Sequence, residues 1–255
     1  MLKILLSGAA GRMGRQVAAL ADHYNAHILC GVDVRVDDTL PFPVYPAFSL
    51  VAEKPDVIVD FSRPEGLDAL MDFAVQKGIP VLLAATGYNE ENLRRIAEAA
   101  KRIPIFRSAN LSLGVYVLKA LSAKAAMLLK DYDVEIVEKH HNQKIDAPSG
   151  TALMLYDAVK LPESVPVYGR HTRTEKRQPR EIGIHAVRGG TVAGQHEVGF
   201  YGPGETLLLS HTAQDRSIFA AGALRAAHYI VSCPPGEYDM NHLAESLLVS
   251  SHEIE

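Results

Sequence analysis

Only two cysteines occur in the 255 residues, Cys30 and Cys233, and neither lies in a CxxC pair or beside clustered histidines. A disulfide framework is thereby excluded, no zinc-site spacing is offered, and a reducing, cytoplasmic setting is expected. Long apolar runs are also missing, so no membrane association is expected. The opening Met1-Leu2-Lys3-Ile4-Leu5-Leu6-Ser7-Gly8 is too short in apolar residues for a secretory signal and runs straight into a glycine motif. Neither sign of charge dominates: 26 basic residues are interspersed with 30 acidic ones, for a formal charge of -4, which disfavours nucleic acid as a partner. The one basic cluster, Arg170, Arg173, Lys176, Arg177 and Arg180, reads as a solvated loop in preference to a substrate-attracting rim. There are no repeats and no low-complexity tract.

What is present is the composition of an ordinary globular protein, with enough apolar residues for a core in one large domain or two ordinary ones. The first part alternates short apolar runs (3–7, 27–32, 57–60, 80–83 and 104–108) with helical patterns (12–23, 65–77 and 89–102). That rhythm predicts an α/β fold with a parallel sheet covered by helices. The proline-rich stretch 41–46 reads as a loop leading to a short helix near Phe48. An apolar helix follows over 114–129. Strand patterns then cluster at 134–138, 181–187, 191–200 and 206–211, with Gly189-Gly190 a hairpin signal and Gly202-Pro203-Gly204 another turn. A second, α+β domain with a mixed, largely open sheet is expected over 111–215. The helical stretch 216–232 returns the chain to the first domain, which therefore comprises 1–110 and 216–255.

Gly8, Gly11 and Gly14 stand where the first strand passes into the first helix, the positions a Rossmann-type fold needs for a tight turn, close backbone approach to a pyrophosphate, and helix packing on strand. Asp33, closing the second strand pattern, suits a ribose 2′-hydroxyl and favours NADH. Arg12 and Arg35 are near enough in sequence to offset a 2′-phosphate, so NADPH is also allowed. Ala84-Ala85-Thr86-Gly87 follows the fourth strand and is either an ordinary turn or part of the nicotinamide site.

The run from Glu138 to Thr151, EKHHNQKIDAPSGT, carries the chemistry. It puts His140 and His141, able to exchange protons near neutrality, next to Lys144 and a helix start at Pro148-Ser149-Gly150-Thr151, whose amides and dipole suit a carboxylate. The segment reads as a pocket for a small acidic molecule. Asp146 is read as fixing the turn before Pro148. His171, His185, His196 and His211 lack ligand spacing and are read as surface or sheet residues; no metal site is expected.

The glycine motif, the Glu138–Thr151 run, Ser108-Ala109-Asn110-Leu111-Ser112-Leu113-Gly114-Val115 and Gly236-Glu237-Tyr238-Asp239-Met240 together resemble the 4-hydroxy-tetrahydrodipicolinate reductases of bacterial lysine biosynthesis. The resemblance runs from Lys3 to Met240. It implies a Rossmann domain holding NADH or NADPH, a substrate domain for a cyclic imine bearing two carboxylates, and assembly of that domain into a homotetramer. By the same resemblance His140 and Lys144 handle the proton, and His141, Lys144, Gly150, Thr151 and Thr86 bind substrate. Gly8, Gly11, Arg12, Met13, Gly14, Asp33, Arg35, Ala84, Thr86, Ser108 and Asn110 line the cofactor. The family's Gly-Thr-Thr-Gly turn reads Ala84-Ala85-Thr86-Gly87 here, which keeps Thr86 and loses the residue types that precede it.

Two other classes share parts of this pattern. A nucleotide-sensing binding protein would need the glycines and Asp33 but not His140 with Lys144. A semialdehyde dehydrogenase would need a nucleophilic cysteine, and neither Cys30 nor Cys233 has such a context.

Overall fold

The computed structural model describes residues 1–252, with side chains through Leu247. In chain order the first elements are β1 (Leu2–Ser7), α1 (Arg12–Leu20), β2 (Ala26–Val32), β3 (Val44–Tyr45), β4 (Val57–Asp60), α2 (Leu67–Lys77), β5 (Val81–Leu83), α3 (Glu90–Ala100) and β6 (Pro104–Arg107). Next come α4 (Leu113–Leu128), β7 (Asp133–His140), α5 (Gly150–Val159), β8 (Val165–Tyr168), β9 (Glu181–Arg188), β10 (Gly194–Gly202) and β11 (Glu205–Ala213). The chain ends with α6 (Ser217–Ile230), β12 (Gly236–Tyr238) and α7 (Met240–His252). Two compact units result, one of Met1–Leu113 with Arg216–Glu255 and one of Gly114–Asp215.

In the first unit seven strands lie in the order β12-β6-β5-β4-β1-β2-β3, all parallel. The central strands read as near-continuous apolar runs because both faces are covered: Ile4, Leu5, Leu6, Val57, Ile58, Val59, Val81, Leu82 and Leu83 are all fully buried. The chain order reverses between β1 and β4, the place where ligands bind in such sheets. The expected Rossmann-type parallel sheet is therefore present. Stretch 41–46 is more than the loop expected: Val44 and Tyr45 form β3, held by Gly31 N–H to Pro43 O and Asp33 N–H to Tyr45 O. Prolines survive there because β3 is an edge strand.

The second unit has a five-stranded mixed sheet, β11-β10-β7-β9-β8, also as expected. Its core joins α4 and α5 to one face through Leu118, Leu155, Val134, Ile136, Ile184, Val198 and Phe200. Strand alternation sends every second residue to that face, and Glu138, His196 and Arg188 share the parity of Ile136, Val198 and Ile184.

One expectation fails in an informative way. Gly189-Gly190 makes no hairpin, because β7 lies between β9 and β10. Instead Gly189 N–H donates to His140 O and Asn142 N–H to Gly190 O, so the glycine pair crosses the end of β7. The turn at Gly202-Pro203-Gly204 does join neighbours, β10 and β11.

The third glycine of the nucleotide motif has a packing role visible in the backbone. A Cβ on Gly14 would stand 2.4 Å from Gly8 O and 2.6 Å from Ala9 O. Gly14→Ala is expected to destabilise the protein by roughly 1–3 kcal/mol, as overpacking does, read as a lowered urea midpoint; an unchanged midpoint would refute the contact.

Candidate functional site

The first unit brings its sequence-nominated residues to the carboxyl ends of neighbouring strands. Gly8 through Gly14 follow β1, Asp33 and Arg35 follow β2, Ala84 and Thr86 follow β5, and Ser108 and Asn110 follow β6. Gly8 has φ +76°, and a Cβ there would meet the Phe61 backbone at 2.8 Å, so only glycine makes this turn. Gly11 caps α1 with no side-chain bond to the helix amides, and the first turn carries no acidic residue, which leaves the positive helix end unopposed.

Asp33 is tied into the glycine loop. Its Oδ2 accepts from Ala10 N–H at 3.0 Å and its Oδ1 from Arg35 N–H at 3.0 Å, leaving each oxygen a lone pair for a ribose hydroxyl. Arg35 Nη2 donates to Ala10 O at 3.3 Å, and Arg15 pairs with Asp37. Arg12 and Thr86 are exposed and Met13 half-buried. Ser108 and Asn110 hold one another through Ser108 Oγ to Asn110 O at 2.6 Å, and Asn110 Oδ1 accepts from Ser112 N–H at 2.9 Å. Asp60, which the sequence marks only as a strand end, is buried at the end of β4. Burial draws its carboxyl above the usual carboxylate range, against hydrogen bonds from Ser62 and Ser7.

These features fit a dinucleotide: a glycine turn no side chain can enter, an open helix end and an anchored acidic residue.

In the second unit the run from 138 to 151 closes around a buried carboxylate. Glu138 has no solvent exposure, yet three groups make four polar contacts with it. Arg188 Nη1 donates to its Oε2 at 2.8 Å and Nη2 to its Oε1 at 2.7 Å, Ser149 N–H donates to Oε1 at 3.0 Å, and His140 Nδ1 lies 2.6 Å from Oε2. Burial alone would push the carboxyl up; hydrogen bonds from Arg188, His140 and Ser149 more than reverse it, and Glu138 sits below the usual carboxylate range. Arg188 Nη2 also donates to Asp146 O at 2.7 Å.

His140 ends β7, and its ring packs edge-on against His196 with centroids 5.2 Å apart. Lys144 Nζ pairs with Asp146 Oδ1 at 2.8 Å, which holds the Asp146 carboxyl below its ordinary range. Ser149 caps α5, its Oγ accepting from Ala152 N–H. Gly150 and Thr151 open the helix, and a Cβ at Gly150 would meet nothing within 4 Å. His141, next to His140 in sequence, is half-buried.

Three residues without an assigned role from sequence belong to this cluster: Glu138, Arg188 and His196. A glutamate on the core-facing parity of β7 was the available signal, since a buried charge must be paired. Arg188 and His196 are remote in sequence and enter by register alone, His140 opposite Arg188 and Glu138 opposite His196. Of the two readings offered for His196, surface or sheet, the second holds: it lies in β10, is 4% exposed, and its Nε2 lies 3.1 Å from Ser149 Oγ. The basic loop is exposed at Arg170, Arg173, Lys176 and Arg180, as a solvated loop would be, while Arg170 and the half-buried Arg177 also pair with Glu135 on the opposite face of the sheet.

Burial, with the neighbouring His140, pushes His196 down to about 4. Below about pH 6.5 the unfolded chain takes up a proton there that the folded state refuses, so stability falls as pH drops from about 6.5 to 4. His196→Gln is expected to flatten that part of the stability profile, measured by urea unfolding; an unchanged slope would refute the assignment.

Comparison with known proteins agrees with this architecture. Residues 2–111 match the family model described as Dihydrodipicolinate reductase, N-terminus, and residues 114–244 match that for the C-terminus. The 4-hydroxy-tetrahydrodipicolinate reductase of Caldanaerobacter subterraneus subsp. tengcongensis is 49% identical over 96% of this chain and 99% of its own. That of Clostridium tetani is 43% identical over 96% and 98%. Among solved structures, a dipicolinate-bound dihydrodipicolinate reductase from Paenisporosarcina superposes with a TM-score of 0.79 at 22% identity, covering 94% of this chain and 97% of that one. A probable dehydrogenase from Thermotoga maritima shares the fold at TM-score 0.65 and 13% identity, covering 97% and 94%. With both halves matched and full-length relatives above 40% identity, the chain belongs to the 4-hydroxy-tetrahydrodipicolinate reductase family, NAD(P)H-dependent oxidoreductases of lysine and diaminopimelate biosynthesis.

Proposed function

We propose that, in reducing 4-hydroxy-tetrahydrodipicolinate to tetrahydrodipicolinate with loss of water, the second unit of this chain binds the cyclic diacid and supplies the proton. The first unit binds NADH or NADPH, which brings the hydride. The observation that carries this reading is the convergence of His140, Lys144 and the α5 start within one short segment.

The substrate sets the requirements. Loss of water leaves a conjugated imine; hydride adds to its terminal carbon, and the displaced electron pair spreads over the enamine until an acid protonates it. His140 is the nearby imidazole positioned to act as that acid. Lys144 neutralises a carboxylate, and the ammonium that does so stands ready to assist the proton transfer. The amides of Gly150 and Thr151, at the positive end of α5, grip the same carboxylate, with His141 and Thr86 as further polar contacts. The dipicolinate carried by the Paenisporosarcina relative is a flat diacid of the same outline, which supports a dicarboxylate ligand here.

On the cofactor side Gly8, Gly11, Arg12, Met13 and Gly14 take the pyrophosphate. Asp33 takes the adenosine ribose, Arg12 and Arg35 accommodate a 2′-phosphate, and Ala84, Thr86, Ser108 and Asn110 line the nicotinamide end. This assignment supports use of both NADH and NADPH. The face of the five-stranded sheet opposite α4 and α5 exposes Val165, Val187, Tyr201 and Leu208, which supports burial of that face in a homotetramer. Cytoplasmic location is consistent with two unbridged cysteines.

With pyruvate, aspartate semialdehyde and the preceding synthase supplied, nicotinamide absorbance is expected to fall with either cofactor; no consumption with both would reject the reading. His140→Ala and Lys144→Ala are each expected to lower turnover by roughly 10²–10⁴-fold while leaving NADH binding intact by titration. Unchanged turnover in both would remove the pair.

A further inference from the structure

We infer that Glu138 is a positioning residue for the reaction: clamped by Arg188 and the Ser149 amide, it dictates which nitrogen of His140 exchanges protons with the ligand, and Gly194 leaves that nitrogen clear. The inference rests on the reading of His140 as the proton donor.

The geometry fixes the tautomer. Arg188 presents two donors to the Glu138 carboxylate, one to each oxygen, and Ser149 N–H adds a third. A carboxylate held this way is ionised and can only accept. The 2.6 Å contact from His140 Nδ1 to Oε2 therefore has its hydrogen on Nδ1. Nδ1 is occupied in both the charged and the neutral ring, and proton exchange is left to Nε2.

The surroundings of Nε2 agree. A Cβ on Gly194, at the start of β10, would lie 3.2 Å from His140 Nε2 and 3.5 Å from its Cδ2, so a side chain there would crowd the exchanging atom. The other charged or titratable groups near the ring are Arg188 from β9, His196 from β10, and His141, Lys144 and Asp146 from the loop after β7. Arg188 is committed to Glu138 and to Asp146 O, and His196 is kept neutral by burial, so neither competes for the Nδ1 hydrogen.

The same carboxylate reaches the α5 start, since Oε1 accepts from the N-cap residue's own amide. One side chain thus fixes the spacing between the proton-handling ring and the amides that grip the substrate.

A paired substitution separates positioning from packing. Glu138→Gln keeps the shape but can turn an N–H₂ toward Nδ1, which then accepts, and the hydrogen moves to Nε2. Glu138→Asp removes a methylene but keeps an acceptor. We expect Glu138→Gln to lower kcat by about 10²-fold or more, as losing an orienting carboxylate does, with KM for both substrates within about twofold. Glu138→Asp should retain at least about ten times the kcat of Glu138→Gln, a conservative margin below that full effect. A purely structural role predicts the reverse order, and wild-type kcat in Glu138→Gln would overturn the inference. Gly194→Ala should lower kcat without weakening NADH binding.

Nitrogen-detected NMR of the wild-type protein, labelled at histidine, reads the tautomer directly and does not depend on any variant folding. The neutral His140 ring is expected as Nδ1–H; an Nε2–H ring would overturn the inference. His140→Ala with wild-type turnover would end the catalytic reading and leave the tautomer result standing, so the two failures are distinguishable.

Discussion

A carboxylate placed on the core side of a sheet is the constraint around which the second unit is arranged. Stripping an ion of water costs several kcal/mol even after relaxation, and Glu138 is stripped completely. Its compensation is directional: a bidentate guanidinium, a backbone amide and an imidazole, each on its own bearing. Because each donor comes from a different element, satisfying the charge also fixes β9, the α5 start and the ring at the end of β7 relative to one another. Removing one partner would leave the others facing an underpaired charge, with a cost of about 3–5 kcal/mol for a broken buried pair.

The rest of the polar cluster follows from that anchor. Ser149 serves the α5 amide at Ala152 while lying against His196, and its own amide is held by Glu138. His196 fills the space beside His140 as a ring that burial next to a second imidazole keeps neutral near neutral pH. Lys144 and Asp146 lie nearer to solvent, so their pair is screened and exchangeable in a way the Glu138 pair is not. The opposite face of the sheet solves a similar problem separately: Glu135 gathers Arg170, Arg177 and His185, so two of the five basic residues of the loop are tied to the sheet.

Legibility in the sequence tracked how local the determining interactions are. The parallel sheet was readable because each β-α step carries its own pattern, and the glycine motif announces the first of them within eight residues. The 138–151 segment was readable for the same reason, its histidines, lysine and helix start being consecutive. What escaped was set by partners distant in sequence or by edges. The two-residue β3 and the strand β8 both contain or adjoin prolines that argue against strands, and both survive at sheet edges where the missing amide costs nothing. The expected Gly189-Gly190 hairpin failed because turn chemistry says nothing about a third strand inserted between the two it joins.

That insertion has a consequence for the site. With β7 between β9 and β10, Arg188 and His196 approach from opposite sides of the same strand, one through the parallel register that sets His140 against Arg188, the other through the antiparallel register that sets Glu138 against His196. A direct β9–β10 hairpin would have paired those two strands with each other and removed one wall of the cluster. Since side chains alternate faces, a slip of one residue on either side of β7 would carry Arg188 or His196 to the outer face and leave Glu138 buried without its counter-charge or His140 without its neighbour. The register is thus under two demands at once, apolar burial of Ile136, Ile184 and Val198 and neutralisation of Glu138, and both are met by the same parity. At the crossing Gly190 takes φ +49°, a left-handed conformation that favours glycine, and it is this turn that brings Gly189 N–H onto His140 O and Gly190 O onto Asn142 N–H at the end of β7.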